Sequence, residues 1–183
     1  MQNSVPYIFL FGVEIFTTKS AGKLTGAGMI LIRKLNSEDI QQFFLWRDAD
    51  IYTYNMLRRE VMEHEEGKRV IFIAFINLNI VGTVQFVPKH YDIELADGIS
   101  TAYLQSLLVD ENYRRQGIGN LLIKAVESEA VQGNFQRLTI MVESDNSPAL
   151  NLYHKVGFTF LKNSHNMWRG KEYHVQCLDK SLV

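Results

Sequence analysis

Between Leu107 and Lys124 the chain reads L-L-V-D-E-N-Y-R-R-Q-G-I-G-N-L-L-I-K: an apolar strand-like run, a short polar loop and the start of a helix. Such a junction binds anions, because the first N–H groups of a helix have no partner inside it and lie at the positive end of its dipole. Gly117 and Gly119 let a phosphate approach that backbone closely, and Arg114 and Arg115 add positive charge. Taken alone, R-x-x-G-x-G also describes an ordinary strand-to-helix turn. The segment lacks both the G-x-x-x-x-G-K-[ST] phosphate loop and the third glycine of a dinucleotide fingerprint.

A second segment sharpens the first. One strand further on comes N-S-P-A-L-N-L-Y-H-K-V-G-F, Asn146 to Phe158. R-R-Q-G-I-G followed by N-x-x-A-x-x-L-Y-x-x-x-G-F resembles the signature of the GNAT superfamily of acyl-CoA N-acyltransferases. The resemblance is strongest over Tyr103 to Leu161 and extends more loosely over Met29 to Leu182; residues 1–28 fall outside it.

The resemblance implies acetyl-CoA as cosubstrate and assigns roles residue by residue. Backbone amides of Gln116, Gly117, Ile118 and Gly119 would hold the CoA pyrophosphate, with Arg114 and Arg115 beside them. The strand ending at Leu107, Leu108 and Val109 would splay from its neighbour and hydrogen-bond the pantetheine amides, and an N–H there could steady a tetrahedral oxyanion. Asn146 would bond the cofactor arm, and Tyr153 would protonate the leaving thiolate as a general acid. Where many relatives place a Glu to deprotonate the amine, this chain has Gln105, which cannot accept that proton. A water chain or another carboxylate must then serve, with Glu143, Glu94 and Asp97 as candidates. Each residue also has a plain structural reading: Tyr153 as core, Asn146 as a cap, the three acids as solvated charges.

The elements that must position these groups follow from periodicity. From Met29 onward strand-like and helix-like segments alternate without an internal repeat or a long linker, so one α/β domain over residues 29–183 is expected, with residues 1–28 as an extension. Together with the resemblance, this implies a mixed sheet of about seven strands flanked by about four helices. Strands are expected over Met29–Leu35, Val70–Ile76, Ile80–Val87, Tyr103–Val109 and Arg137–Glu143, with a hairpin around Asn77-Leu78-Asn79. Helices are expected after Ser37 as cap, over Tyr52–Glu66, from Gly117 to Gly133, and from the cap-and-proline pair Ser147-Pro148 to Gly157. Phe158–Leu161 and Glu172–Leu178 read as last strands around a turn-rich Lys162–Lys171.

Composition bounds the rest. The 183 residues are 46% hydrophobic and 21% charged with a net charge of −1, an ordinary globular balance without a basic field for nucleic acid or an anionic membrane. Val5 to Phe16 is apolar but too short to span a bilayer, and no basic region leads it as in a secretory signal. Cys177, the only cysteine, excludes an internal disulfide and fits a reducing compartment, so a cytoplasmic location is expected. The five histidines have no metal-ligand spacing, and no metal is expected.

Residues 37–66 hold eight acids against three bases, a balance of −5, which either attracts a cationic amine or is a set of solvated helix faces. Trp46, Tyr52, Tyr54, His165 and Trp168 could supply an aromatic wall for the acceptor. The reading is an N-acetyltransferase acting on a primary amine of a small molecule or peptide by direct attack through a tetrahedral intermediate. The alternatives are a non-catalytic acyl-CoA sensor and a nucleotide-binding regulator. Edge strands leave a homodimer open.

Overall fold

The computed structural model describes residues 8–10, 13–17, 29–47 and 50–183. These fall into two compact units, one of Met1–Gln85 with Ser106–Ala125 and the other of Phe86–Gln105 with Val126–Val183.

In the first unit, β1 (Ile8–Leu10), β2 (Val13–Thr17), β3 (Met29–Lys34), β4 (Val70–Ile76) and β5 (Asn79–Val87) are neighbours in that order. Part of the stretch expected to stand apart therefore joins the sheet, since β2 lies antiparallel on β3 with Thr17 opposite Met29 and Glu14 opposite Ile32. The other residues before Met29 lie outside the described set. The β4–β5 hairpin closes through Asn77 and Leu78, both left-handed at φ 49° and 67°, the backbone that a two-residue hairpin loop demands.

Two helices cover this unit. Asn36, not Ser37, caps the entry to the first: its side chain accepts from the Asp39 N–H at 3.1 Å, while the Asp39 carboxylate accepts from the Asn36 N–H at 3.0 Å. A 3-10 turn over Ser37–Asp39 then leads into α1 (Ile40–Arg47). Asn36 takes the cap because its own backbone is extended, whereas Ser37 has already entered the turn. Burial raises the Asp39 carboxyl, but the Arg33 guanidinium and the Asn36 N–H outweigh it and hold the group below its usual range. Asp50 caps α2 (Ile51–Glu65) by accepting from the Thr53 N–H at 2.9 Å. The helices place Phe43, Leu57 and Val61 against Ile71, Ile73 and Phe75. Near the end of α2, His64 Nε2 donates to the Leu35 carbonyl at 2.8 Å and so spends this histidine on the fold.

The second unit holds the start of β6 (Thr101–Val109), then β7 (Arg137–Glu143), α4 (Ser147–Lys155), β8 (Thr159–Trp168) and β9 (Lys171–Ser181), in strand order β6-β7-β9-β8. β6 and β7 are parallel, and β9 runs antiparallel to both β7 and β8. The chain passes between the units within β5, β6 and α3 (Ile118–Gln132). The seven strands from Met29 onward and four helices make the expected mixed α/β fold.

Two expectations in this unit need correction. Lys162–Trp168 is strand rather than turn: only Arg169 and Gly170 turn, at φ 52° and 75°, and β8 pairs with β9 as far as Trp168 opposite Lys171. K-N-S-H-N-M-W conceals this because β8 ends the strand order, and cross-strand bonds to β9 hold it without a clear apolar alternation. The cap of α4 is Asn146 rather than Ser147, which puts the proline in the first turn. Among the described residues no helix is long and apolar enough to cross a membrane.

Candidate functional site

β6 carries the first part of the site. Thr101 to Leu104 are buried, and from Gln105 the strand opens progressively toward solvent. Its parallel register on β7 runs over Thr101–Tyr103 against Arg137–Thr139. Ser106 is left-handed at φ 54°, a conformation that a non-glycine residue adopts only under local constraint. An irregular residue inside a strand re-aims the residues after it. Nothing in the composition of A-Y-L-Q-S-L-L-V announces it, since serine has no preference for this region.

In the first unit, Leu107, Leu108 and Val109 complete β6, with Leu108 half exposed. The strand end is fixed by the Asp110 N–H, which donates to the Val81 carbonyl at 2.9 Å, and by Gly82 beneath it. A Cβ on Gly82 would lie 3.0 Å from the Leu108 carbonyl oxygen and 3.1 Å from Leu122 Cδ1. The lone glycine inside I-V-G-T-V-Q-F-V is the signal that could have revealed this close backbone approach. Gly82→Val should therefore displace the end of β6 and cost about 1–3 kcal/mol of stability. The melting temperature measures the cost, and unchanged melting would show that β6 does not rest on this contact.

After β6 the chain makes a 3-10 turn over Glu111–Tyr113 and then a loop in which Arg115 and Gly117 are both left-handed, at φ 64° and 84°. This alternation turns successive N–H groups toward one concave side. The N–H groups of Arg115, Gln116, Gly117, Ile118, Gly119 and Asn120 have no hydrogen-bond partner among the described residues; the helical ladder begins with Leu121 donating to the Gly117 carbonyl at 3.1 Å. No atom lies within 4 Å of where a Gly117 Cβ would be, so that glycine serves the backbone conformation and leaves the space above it open. Arg114 is turned back, its Nε donating to the Val109 carbonyl at 3.1 Å and its guanidinium 3.4 Å from Glu111. Arg115 is exposed and forms no ion pair among the described residues. An open cleft of about 310 Å³ lies between Trp46 and Arg47, at the end of α1, and the segment from Leu108 to Arg114.

In the second unit Tyr153 points inward from α4, 5% exposed, with its ring edge-on to Phe158 at 5.8 Å. Its hydroxyl makes no hydrogen bond among the described residues. Burial, and secondarily the neighbouring Tyr103, push the phenol above its ordinary range, so it stays protonated at neutral pH. Asn146 spends its side-chain oxygen as the cap of α4, accepting from the Ala149 N–H at 3.2 Å, and keeps its amide N–H groups for another partner. Glu143 ends β7 with an exposed carboxylate, and Gln105 is half-buried in β6.

Two other candidate bases are already engaged. Asp97 accepts from the Thr101, Ile99 and Ser100 N–H groups at 2.8–2.9 Å, which hold its carboxyl far below the usual range. Glu94 is ion-paired to Lys162. Cys177 is buried beside Tyr103, and burial pushes its thiol up, the opposite of an activated nucleophile. Among the described residues no group of three or more His, Cys, Asp or Glu could hold a metal ion.

The left-handed glycine loop feeding the N-terminus of α3 presents a run of N–H groups without partners among the described residues, the donor set of an anion cradle. The Acetyltransferase (GNAT) family matches residues 29–158, and the chain belongs to that family. Human N-alpha-acetyltransferase 30 is 39% identical over 127 residues, 69% of this chain and 31% of that protein. An N-alpha-acetyltransferase of Sulfurisphaera tokodaii is 37% identical over 120 residues, 61% of this chain and 67% of that protein. The chain thus spans about a third of the length of the human relative. A GNAT family acetyltransferase of Elizabethkingia anophelis, solved with acetyl-CoA bound, superposes with a TM-score of 0.58 over 83% of this chain and 97% of that one, at 19% identity.

Proposed function

We propose that this chain transfers the acetyl group of acetyl-CoA to a primary amine by direct attack on the thioester. The observation that carries the reading is the run of N–H groups without partners from Arg115 to Asn120, presented by a left-handed loop at the positive end of α3 in a GNAT family member. Those amides fit a pyrophosphate, and Arg115, exposed beside them, adds charge. Arg114 acts through Val109 and Glu111 as a brace for the loop rather than as a direct ligand. Leu107 to Val109 supply backbone groups for the pantetheine amides, and a β6 N–H at the irregular turn steadies the developing oxyanion.

Tyr153, protonated and without a competing hydrogen bond, hands its proton to the departing thiolate. Asn146 offers its amide N–H to the cofactor arm. Gln105 can orient the amine or a water but cannot take its proton. Asp97 and Glu94 are occupied, so Glu143, acting directly or through water, is the base. Family membership favours turnover over the sensor alternative.

The acidic surface that suggested a cationic acceptor is largely taken up by internal partners. Asp39 pairs with Arg33, Glu60 and Glu63 with Arg69, Glu66 with Lys68, and Asp50 caps α2. The names of the human and Sulfurisphaera tokodaii relatives specify N-alpha acetylation, so peptide α-amines lead the acceptor panel. Thiol release from acetyl-CoA, followed over N-terminal peptides, free amino acids and polyamines, should require both protein and amine. No amine-dependent release over background with any of them would overturn the reading.

A further inference from the structure

Arg47 ends α1 and lines the cleft shared with Leu108 and Val109. Its Nη1 is buried and has no hydrogen-bond partner, the only such side-chain atom among the described residues. An unmade bond on a buried donor is costly, and on a charged fork more so, so a group that supplied the bond would be held there. The nearby acids do not supply the bond. Glu60, 2% exposed, accepts from the Gln85 amide at 2.7 Å and lies 3.5 Å from Arg69 Nη1. In the cleft wall Asp110 accepts from the Asn112 N–H at 2.9 Å, and Glu111 faces Arg114. Of the two guanidinium groups lining the cleft, Arg114 is engaged with Val109 and Glu111, and Arg47 keeps a nitrogen without a partner.

We infer that Arg47 binds a carboxylate carried by the acceptor close to its amine, so the enzyme selects amino-acid or acidic-peptide amines over simple ones. This rests on the acetyl-transfer reading, which places the pantetheine arm along Leu108 and Val109 and leaves the acceptor as the other occupant of that cleft. A planar guanidinium matches a carboxylate with two parallel bonds, a geometry that an ammonium cannot reproduce.

The test uses matched acceptors: an amino acid against the amine lacking its carboxylate, and amidated Ala-Asp against Ala-Asn peptides, with the wild type, Arg47→Gln and Arg47→Lys. The wild type should favour the carboxylate in at least one pair by about tenfold in kcat/KM, and that pair tells a free amino acid from a peptide. Arg47→Gln should erase the preference through the acceptor KM with the acetyl-CoA KM unchanged, and Arg47→Lys should keep only part of it. Equal rates within both pairs, a preference that survives Arg47→Gln, or a raised acetyl-CoA KM would each overturn the inference. Calorimetric titration with the N-acetylated acids needs no turnover. Binding that weakens about tenfold in Arg47→Gln supports the site even if acetyl transfer fails. Equal binding by both proteins, or none by the wild type, removes it even if transfer is sound. Melting curves confirm that each variant is folded.

Discussion

Gly119→Asp should abolish acetyl-CoA binding while leaving the fold intact or slightly stabilised. Gly119 is the second residue of α3, inside the run of N–H groups that lack partners. A carboxylate at a helix start interacts favourably with the dipole, by about 0.3–1 kcal/mol, so the unliganded protein should melt no lower than the wild type. The same carboxylate beside a diphosphate places like charges within a few ångströms. At an effective dielectric near 20 that repulsion is about 4 kcal/mol for one pair at 4 Å, enough to weaken binding by roughly a thousandfold. Gly119→Ala adds the methyl group without the charge and should fall in between. Calorimetric titration separates the three proteins. Unchanged affinity in the Asp variant would move the pyrophosphate away from α3.

Tyr153→Phe should lower kcat by about a hundredfold or more, with acetyl-CoA affinity within a few-fold of the wild type. The hydroxyl makes no hydrogen bond among the described residues, so its loss should cost little stability, unlike a hydroxyl kept for structure. Because burial raises the phenol's pKa, the proton-donating form persists above pH 10, and ionisation of Tyr153 should not create the basic limb of the pH profile. Steady-state kinetics with thiol detection, beside a melting curve, check both points. Equal kcat in the two proteins would make Tyr153 a packing residue.

The parts of this site that were legible in the sequence are those set by local backbone chemistry. Glycines spaced for a helix-start cradle, a cap before a proline, and apolar residues at three and four each express a preference that survives folding. Even there the cap of α4 fell one residue early, at Asn146, because asparagine and serine compete for the same bond and only the backbone decides. Features that arise from pairing were not legible. β8 runs to Trp168 because β9 supplies its hydrogen bonds, and Ser106 is left-handed within β6 although serine has no preference for that region. Glu60 reads as a surface acid on α2, yet it is buried because Arg69 and Gln85, distant in sequence, meet it there. Arg47 matched the helical period but gave no sign of a buried guanidinium nitrogen without a partner.

The most direct test of the central claim is a thermal-shift titration of the purified protein with acetyl-CoA, CoA, ATP and NAD. At a hundred times its dissociation constant a ligand stabilises the fold by about 2.7 kcal/mol, which a melting curve resolves. Acetyl-CoA and CoA should raise the melting temperature in a saturable manner while ATP and NAD leave it nearly unchanged. No shift at millimolar acetyl-CoA, or an equal shift with ATP, would contradict the claim that the loop from Arg115 to Asn120 holds the CoA pyrophosphate.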